Sequence, residues 1–376
     1  MQTKRKFKLK PKALKIVKII CIIIGIILII FLFYEKNIHD LTKLGYSKES
    51  SKNILLKFKK KDIVQIGKNK TLNKAFESNY YEDKNFNTYS KIKYHNHKNL
   101  IKNINKMIKI GYNNDQINMI LEHGSDKDVS EFVKRKKVRY LEEFYTVKYA
   151  KLKNYDRYVS YMNESREDEE TSVLYVNLNL DKEDYKDYVT VKDFSYTMLV
   201  NKHRKLTKNF NSNDLISISK DYASEKGLKG NRTAVKHLED MIKQAEKEGY
   251  GLVVNSAFRS YEDQDEIVNT YKALYGDDYV TKYVLMAGFS EHQTGLGFDI
   301  GSKSEKIFAQ SKEYKWVVEN CYKYGFIYRF KPDYEDTTGI KHEAWHYRYV
   351  GKKVAKYIYD HDISLEEYYA MFLDNN

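Results

Sequence analysis

The sequence predicts an α+β protein in which an apolar N-terminal segment and a helical region precede a domain of mixed helices and strands. Three observations lead there. A charge-free apolar run spans Ile19–Tyr34, and a motif recurs at a spacing of 66 residues. From about residue 195, helical periodicity alternates with short strand-like runs. At 376 residues the chain is long enough for two domains and a sizeable core.

The first eighteen residues hold eight basic side chains (Lys4, Arg5, Lys6, Lys8, Lys10, Lys12, Lys15, Lys18) and no acidic one. The apolar run "IICIIIGIILIIFLFY" follows. Counted from Ile16, with Lys18 snorkelling to the headgroups, it has nineteen residues. At ~1.5 Å per residue that is roughly 28 Å, enough to cross a bilayer. The basic block predicts a cytoplasmic N-terminus with the rest of the chain outside. A cleaved signal peptide would end in a small-residue cleavage site, whereas "FLFYEKNIHD" offers none. We therefore expect a basic tail over 1–15 and an uncleaved single-pass anchor over 16–34.

Removing those eight charges from the net +14 leaves about +6 for residues 19–376. That mild excess suits a place beside an anionic membrane or wall polymer. No basic stripe interleaved with aromatics stands out beyond the tail, so nucleic acid is not an expected partner. Cys21 lies in the anchor and Cys321 is alone, which excludes an intrachain disulfide in the exported part.

Residues 36–165 read as helical and internally repeated. "LGYSKESSKNIL" (Leu44–Leu55) and "IGYNNDQINMIL" (Ile110–Leu121) superpose at an offset of 66. Gly45/Gly111, Tyr46/Tyr112, Ile54/Ile120 and Leu55/Leu121 coincide, and Asp62/Asp128 and Ile63/Val129 extend the match. "NFNTY" (Asn85–Tyr89) meets "NYDRY" (Asn154–Tyr158) at an offset of 69. Two short helical copies are expected, each too small to bury its apolar face alone. A packed spacer is the plainer reading of this region and a wall-binding module the more specific one. The acidic run "ESREDEE" (Glu164–Glu170) predicts a solvated loop, and "SVLYVNLNL" (Ser172–Leu180) a β-rich, partly alternating segment. These place a boundary near residue 170, dividing a helical region over 35–170 from a domain over 171–376.

In that domain, "TAVKHLEDMIKQAEKEGY" sets Val235, Leu238, Met241, Ile242 and Ala245 on one helical face, with Gly249 as the stop. "LVVNS" (Leu252–Ser256) reads as a buried strand, "YEDQDEIVNTYKALYG" as a helix ending at Gly276, and "SKEYKWVVENCYKYG" as another. "FIYRF" (Phe326–Phe330) reads as a strand, and "KKVAKYIYD" and "SLEEYYAMFL" as closing helices.

Chemistry concentrates in three stretches. "SAFRSYEDQ" puts Arg259 and Gln264 at the carboxyl end of a strand. "GFSEHQTGLGFDIGS" carries Ser290, His292 and Asp299, with Asp299 between Phe298 and Ile300. On a strand this alternation turns the carboxylate to one face, where it needs a partner. "IKHEAWHYRYVG" (Ile340–Gly351) contains H-E-A-W-H, a literal match to the zinc-protease pattern H-E-x-x-H. That pattern requires His342 and His346 on one helical face with Glu343 as base, and Glu366 or Glu367 as third ligand. The segment lies between Gly339 and Gly351 and runs into "YRYV", which suits a strand. Without His342, the ligand set becomes His292, Asp299 and His346, two nitrogens and one oxygen that leave a fourth position for water. Glu343 is then the base. In a regular strand residues 343 and 346 face opposite ways, so irregular backbone is expected near Ala344–Trp345.

S-x-H-x-x-G-x-x-x-D (Ser290, His292, Gly295, Asp299) followed by E-x-W-H (Glu343, Trp345, His346) resembles the signature of VanY-type D-alanyl-D-alanine carboxypeptidases, within the group that includes lysostaphin-like peptidases and hedgehog domains. "SAFRSYEDQ", "TGIKHEAWHYRYVG" and "LVNKHRKL" (Leu199–Leu206) resemble further segments of that family, and the likeness covers roughly residues 172–350. The resemblance implies a central antiparallel sheet flanked by helices and Zn2+ on His292, Asp299 and His346. It implies Glu343 as catalytic base and Arg259 as oxyanion or carboxylate clamp, with Gln264 and Ser290 in the substrate pocket. The implied activity is hydrolysis of the peptidoglycan stem peptide, removing the C-terminal D-alanine. An endopeptidase, an L,D-carboxypeptidase or a non-catalytic wall-binding module on the same scaffold are the alternatives. The chain departs from the pattern at Ala344, where proline is common, and at Leu296 and Phe298, where smaller residues are usual. These positions bear on pocket shape rather than on the metal set. Plainer roles remain for three residues: Arg259 as ion-pair partner of Glu262 or Asp263, Ser290 as a turn hydroxyl, and Trp345 as a core or wall residue.

Overall fold

The computed structural model describes residues 11–57, 69–212 and 214–374. The basic tail up to Lys10 and the repeat positions Asp62 and Ile63 lie outside them. Chain contacts divide the protein into two compact units, one up to Tyr145 and one from Thr146.

In the first unit a 33-residue helix, Pro11–Lys43, contains the apolar run. Its membrane-length stretch is unburied, while its last turns bury Ile38 and Leu41. Short helices follow, and the repeated residues occupy matching places. Gly45 and Gly111 take φ of +99° and +101° at helix ends, a conformation that favours glycine. Tyr46, Tyr112, Ile54 and Ile120 are buried. The second match has a polar counterpart in each unit. Tyr89 Oη and Asn85 Nδ2 both donate to Asn105 Oδ1, and Asn105 Nδ2 donates to the Tyr80 carbonyl. Likewise Tyr158 Oη and Asn154 Nδ2 donate to Asn177 Oδ1, and Asn177 Nδ2 donates to the Tyr149 carbonyl. The buried amides of Asn85, Asn154 and Asn177 are tolerated there because they find hydrogen-bond partners.

The segment expected to be β-rich is instead a helix, Glu169–Asn177. Asp168 caps it by accepting from the Thr171 backbone amide, and Val173 and Val176 are buried one turn apart. The cap and the i,i+3 burial override the β-branched composition. The acidic run is correspondingly less of a loop than expected, since Glu169 and Glu170 open this helix beside its positive end.

The second unit is built on a four-stranded antiparallel sheet: β1 Leu252–Ser256, β2 Gly297–Ser302, β3 Phe326–Phe330 and β4 Glu343–Tyr349, in the order β1-β2-β4-β3. Period-two alternation separates its two faces. Leu252, Val254, Phe298, Ile300, Phe326, Tyr328, Tyr347 and Tyr349 join one core with the apolar stripe of helix Arg232–Lys247. The opposite face carries Asp299, Arg329, His346 and Arg348, with Ile327 packed against Val350 and the closing helices Lys352–His361 and Leu365–Phe372. The helices expected over 261–276 and 311–325 are present as Tyr261–Tyr275 and Lys312–Asn320, and the second tightens into a 3-10 turn at Cys321–Tyr324. A further helix, Asp277–Tyr283, begins directly after Gly276.

Two departures noted in the sequence resolve into packing. Leu296 and Phe298 are fully buried in the large core, away from the polar face. Phe298 fills the space beside Gly230, where an added Cβ would meet its ring at 2.6 Å.

Candidate metal centre

The polar sheet face gathers the predicted donors. Asp299 on β2 pairs with His346 on β4 directly across the ladder. The 3-10 turn Glu291–Thr294, entering β2, brings His292 over them. One donor atom from each of His292, Asp299 and His346 lies within 4.8 Å of the others. Among the described residues they are the one such group. Gly297 on β2 leaves room for the His346 ring, because a Cβ there would come within 3.1 Å of it.

The outer nitrogens of both imidazoles are committed, which assigns the inner ones. His292 Nδ1 lies 2.6 Å from the Ala257 carbonyl, an acceptor only, so Nδ1 carries the proton and Nε2 faces Asp299 at 3.4 Å. His346 Nδ1 lies 3.0 Å from Asp299 Oδ1, while its Nε2 points at Glu291 Oε2 at 3.4 Å. Each ring is thus oriented by an acceptor behind it, the arrangement that fixes tautomer and ligand basicity in metal sites.

The electrostatics fit a cation. Burial lowers the His292 pKa to about 4, keeping it neutral. Burial alone would also lower His346, but its hydrogen bonds to Asp299 and Glu291 carry it up to about 9. Burial opposes ionisation of Asp299 as well, yet the two imidazoles hold it far below the usual carboxylate range. Without a metal the cluster therefore keeps a proton on His346, in the place a divalent ion would take. Two imidazole nitrogens and a carboxylate oxygen are a donor set suited to zinc, with room left for water.

Glu343 enters the same cavity of about 340 Å³ with Arg259, Gln264, Ser290 and Trp345. The expected irregularity is present as a bulge. Between the pairs Tyr328–Tyr347 and Phe330–Glu343, β4 runs four residues against two in β3. Burial pushes the Glu343 pKa up to about 7, with His346 opposing the rise. Arg259 Nη1 donates to Gln264 Oε1 at 2.8 Å and Nη2 lies 3.6 Å from Asp299 Oδ2. Its Nε is buried with no partner among the described residues. Gln264 Nε2 is anchored on the Leu285 carbonyl at 2.7 Å. The ion pairs considered for Arg259 are not made: Asp263 Oδ2 accepts from the Ser260 backbone amide, and Glu262 pairs with Lys208. Trp345 is 46% exposed and forms cavity wall.

His342 is not among the donors. It precedes a strand, not a helix, and its Nε2 meets Tyr328 Oη at 2.5 Å. H-E-A-W-H therefore brings one histidine to the donor cluster and Glu343 to the same cavity, and the two-histidine helical reading falls. Glu366, considered there as third ligand, is used otherwise.

It belongs to a buried ionic cluster that the sequence analysis missed. Arg329 Nε donates to Glu291 Oε1 at 2.9 Å, and its two terminal nitrogens donate to the Glu366 oxygens at 2.7 and 2.6 Å. Arg348 Nη1 pairs with Glu291 Oε1 at 2.8 Å. All four side chains are at most 1% exposed. The available signal was charge inside apolar runs: Arg329 in "FIYRF" and Arg348 in "YRYV". Such charges are buried only when paired.

Comparison with known proteins places these features. Residues 228–352 match the VanY family, described as D-alanyl-D-alanine carboxypeptidase. A putative carboxypeptidase of Bacillus subtilis (strain 168), YodJ, is 40% identical over 179 residues, covering 46% of this chain and 66% of that protein. The chain thus spans just under two thirds of that relative's length. Among solved structures, the LdcB LD-carboxypeptidase is 36% identical, covering 50% of this chain and 92% of that one, with a TM-score of 0.46. A mutant of the vancomycin-resistance D,D-pentapeptidase VanY, in complex with Zn(II), is 32% identical over 46% of this chain and 98% of its own, with a TM-score of 0.42.

Proposed function

This chain belongs to the VanY family of D-alanyl-D-alanine carboxypeptidases, and we propose that it uses zinc to hydrolyse the peptidoglycan stem peptide, releasing the C-terminal D-alanine. The observation that carries this reading is the convergence of His292, Asp299 and His346, with Glu343 and Arg259 in one cavity. Zinc held there would polarise the scissile carbonyl and lower the pKa of a bound water.

The chain's own residues do the rest. Glu343, with its pKa raised toward neutrality, is matched to take the water's proton and return it to the leaving amine. Arg259 offers its unpaired Nε–H to the developing oxyanion or the terminal carboxylate. Gln264 holds Arg259 in place, and Ser290 supplies a hydroxyl in the cavity wall. The apolar helix would anchor the enzyme in the membrane, N-terminus inside, keeping the second unit beside its polymer substrate.

Mass spectrometry of defined muropeptides digested with the zinc-loaded protein tests this. Release of one D-alanine from a pentapeptide stem is expected. Trimming of a tetrapeptide stem alone would assign L,D-specificity, and binding without any cleavage would assign a wall-binding module. Membrane placement is checked by carbonate extraction and by protease digestion of intact cells, with the second unit expected to be cleaved from outside.

A further inference from the structure

Four tyrosines recur every fourth residue beside the cavity: Tyr271, Tyr275, Tyr279 and Tyr283. They straddle Gly276, whose φ of +83° ends one helix and starts the next. Spacing of i,i+4 within each helix accounts for the pairs 271–275 and 279–283. It does not account for contacts across the break. Tyr279 stacks on Tyr271 at 5.9 Å and 8° between planes, and lies 4.7 Å from Tyr275. The four rings therefore form one continuous cluster, stacked between Tyr271 and Tyr279 and tilted at the other contacts. Tyr271, Tyr279 and Tyr283 line the cavity that holds the metal donors, and Trp345 lines it too. Tyr275 carries the stack out of the cavity and is 58% exposed.

We infer that this tyrosine stack is a saccharide subsite, binding the amino-sugar unit to which a stem peptide is attached. The inference rests on the stem-peptide reading above. A peptide whose C-terminal bond lies at the metal donors runs outward toward its N-terminus. Four extended residues reach at most roughly 14 Å, so the sugar follows close behind. A pyranose ring presents a broad face of C–H groups edged by hydroxyls. An aromatic ring presents a negative face that attracts such C–H groups, and tyrosine adds a hydroxyl at its wet edge. Uncharged rings in mutual contact, three of them exposed, suit a neutral sugar better than a charged peptide side chain.

The test compares steady-state cleavage of a free stem pentapeptide with the same peptide carrying N-acetylglucosaminyl-N-acetylmuramic acid. In the native protein the disaccharide is expected to lower KM roughly tenfold without changing kcat, the equivalent of one good ring contact. Tyr275→Ala, outside the cavity, should abolish that advantage and leave free-peptide kinetics unchanged, while Tyr275→Phe should restore it. Equal KM for both substrates, or equal loss on both in Tyr275→Ala, overturns the inference while leaving the hydrolase reading intact. Saturation-transfer NMR with the free disaccharide gives a readout independent of cleavage. Transfer that disappears in Tyr275→Ala supports the subsite even if neither peptide is cut, and absence of transfer in the native protein counts against it.

Discussion

Glu291 Oε2 lies 3.4 Å from His346 Nε2, and both side chains are buried. Glu291 is therefore the acceptor behind one candidate metal donor and, through Oε1, the shared anion of Arg329 and Arg348. Glu291→Gln removes that anion. Metal affinity is expected to fall about 10–100-fold as the His346 ring loses its orienting carboxylate. Unfolding free energy should fall by about 3–5 kcal/mol, because two buried guanidinium groups lose a partner. Competition against a zinc chelator and urea unfolding measure the two effects.

Glu366→Ala separates them. Glu366 pairs with Arg329 but contacts no donor. A stability loss of about 3–5 kcal/mol is expected, with one zinc per folded chain still found by metal analysis below the unfolding temperature.

His342 should separate cleanly from His292. His292→Ala is expected to lose zinc and activity together. His342→Ala should keep both, costing about 1 kcal/mol of stability for the lost bond to Tyr328. Metal content after dialysis and product release from a pentapeptide stem report the outcome.

Metal binding should release a proton. In the metal-free protein His346 is protonated up to about pH 9, whereas His292 is already neutral above about pH 4. A ligand imidazole must be neutral, so between neutrality and pH 9 zinc should expel about one proton from His346 and bind about tenfold tighter per pH unit. Calorimetry in buffers of different ionisation enthalpy counts that proton. The same shift has a stability consequence. A folded-state pKa above the unfolded value stabilises below the unfolded value and is lost as pH rises through the folded one. The chelator-treated protein should therefore lose thermal stability between about pH 6.5 and 9, a loss absent from the zinc-loaded protein.

Glu343→Gln keeps the cavity and removes the proposed base. Zinc binding is expected to persist while kcat drops by about 10²–10⁴-fold. With glutamate in place, kcat/KM should have an acid limb, since only the carboxylate accepts a proton. Burial places that limb at up to about pH 7, and the positive charge of bound zinc moves it lower. A pH–rate profile locates the limb.

Much of the second unit was legible because its signals are local. β1 and β3 match the expected runs at both ends, since a short apolar run bounded by turn residues leaves little latitude. Asp299 between Phe298 and Ile300 foretold a carboxylate on the polar face, as period-two alternation requires. Ser172–Leu180 misled because β-branched residues also fill a buried helix face once Asp168 caps it. The tyrosines of 271–283 passed unnoticed because their stack closes across a helix break that the residue pattern hides.

The residue pattern alone pointed to the candidate donors, the candidate base and the apolar span, because donor chemistry, alternation and an unbroken run without charge are properties of neighbours along the chain. Which histidine of H-E-A-W-H turns inward, that Phe298 sits in the core, and that Arg329, Arg348 and Glu366 close around Glu291 belong to the tertiary structure. Those outcomes depend on strand register and on pairing of buried charges. Both arise only when segments distant in sequence exclude water from the space between them.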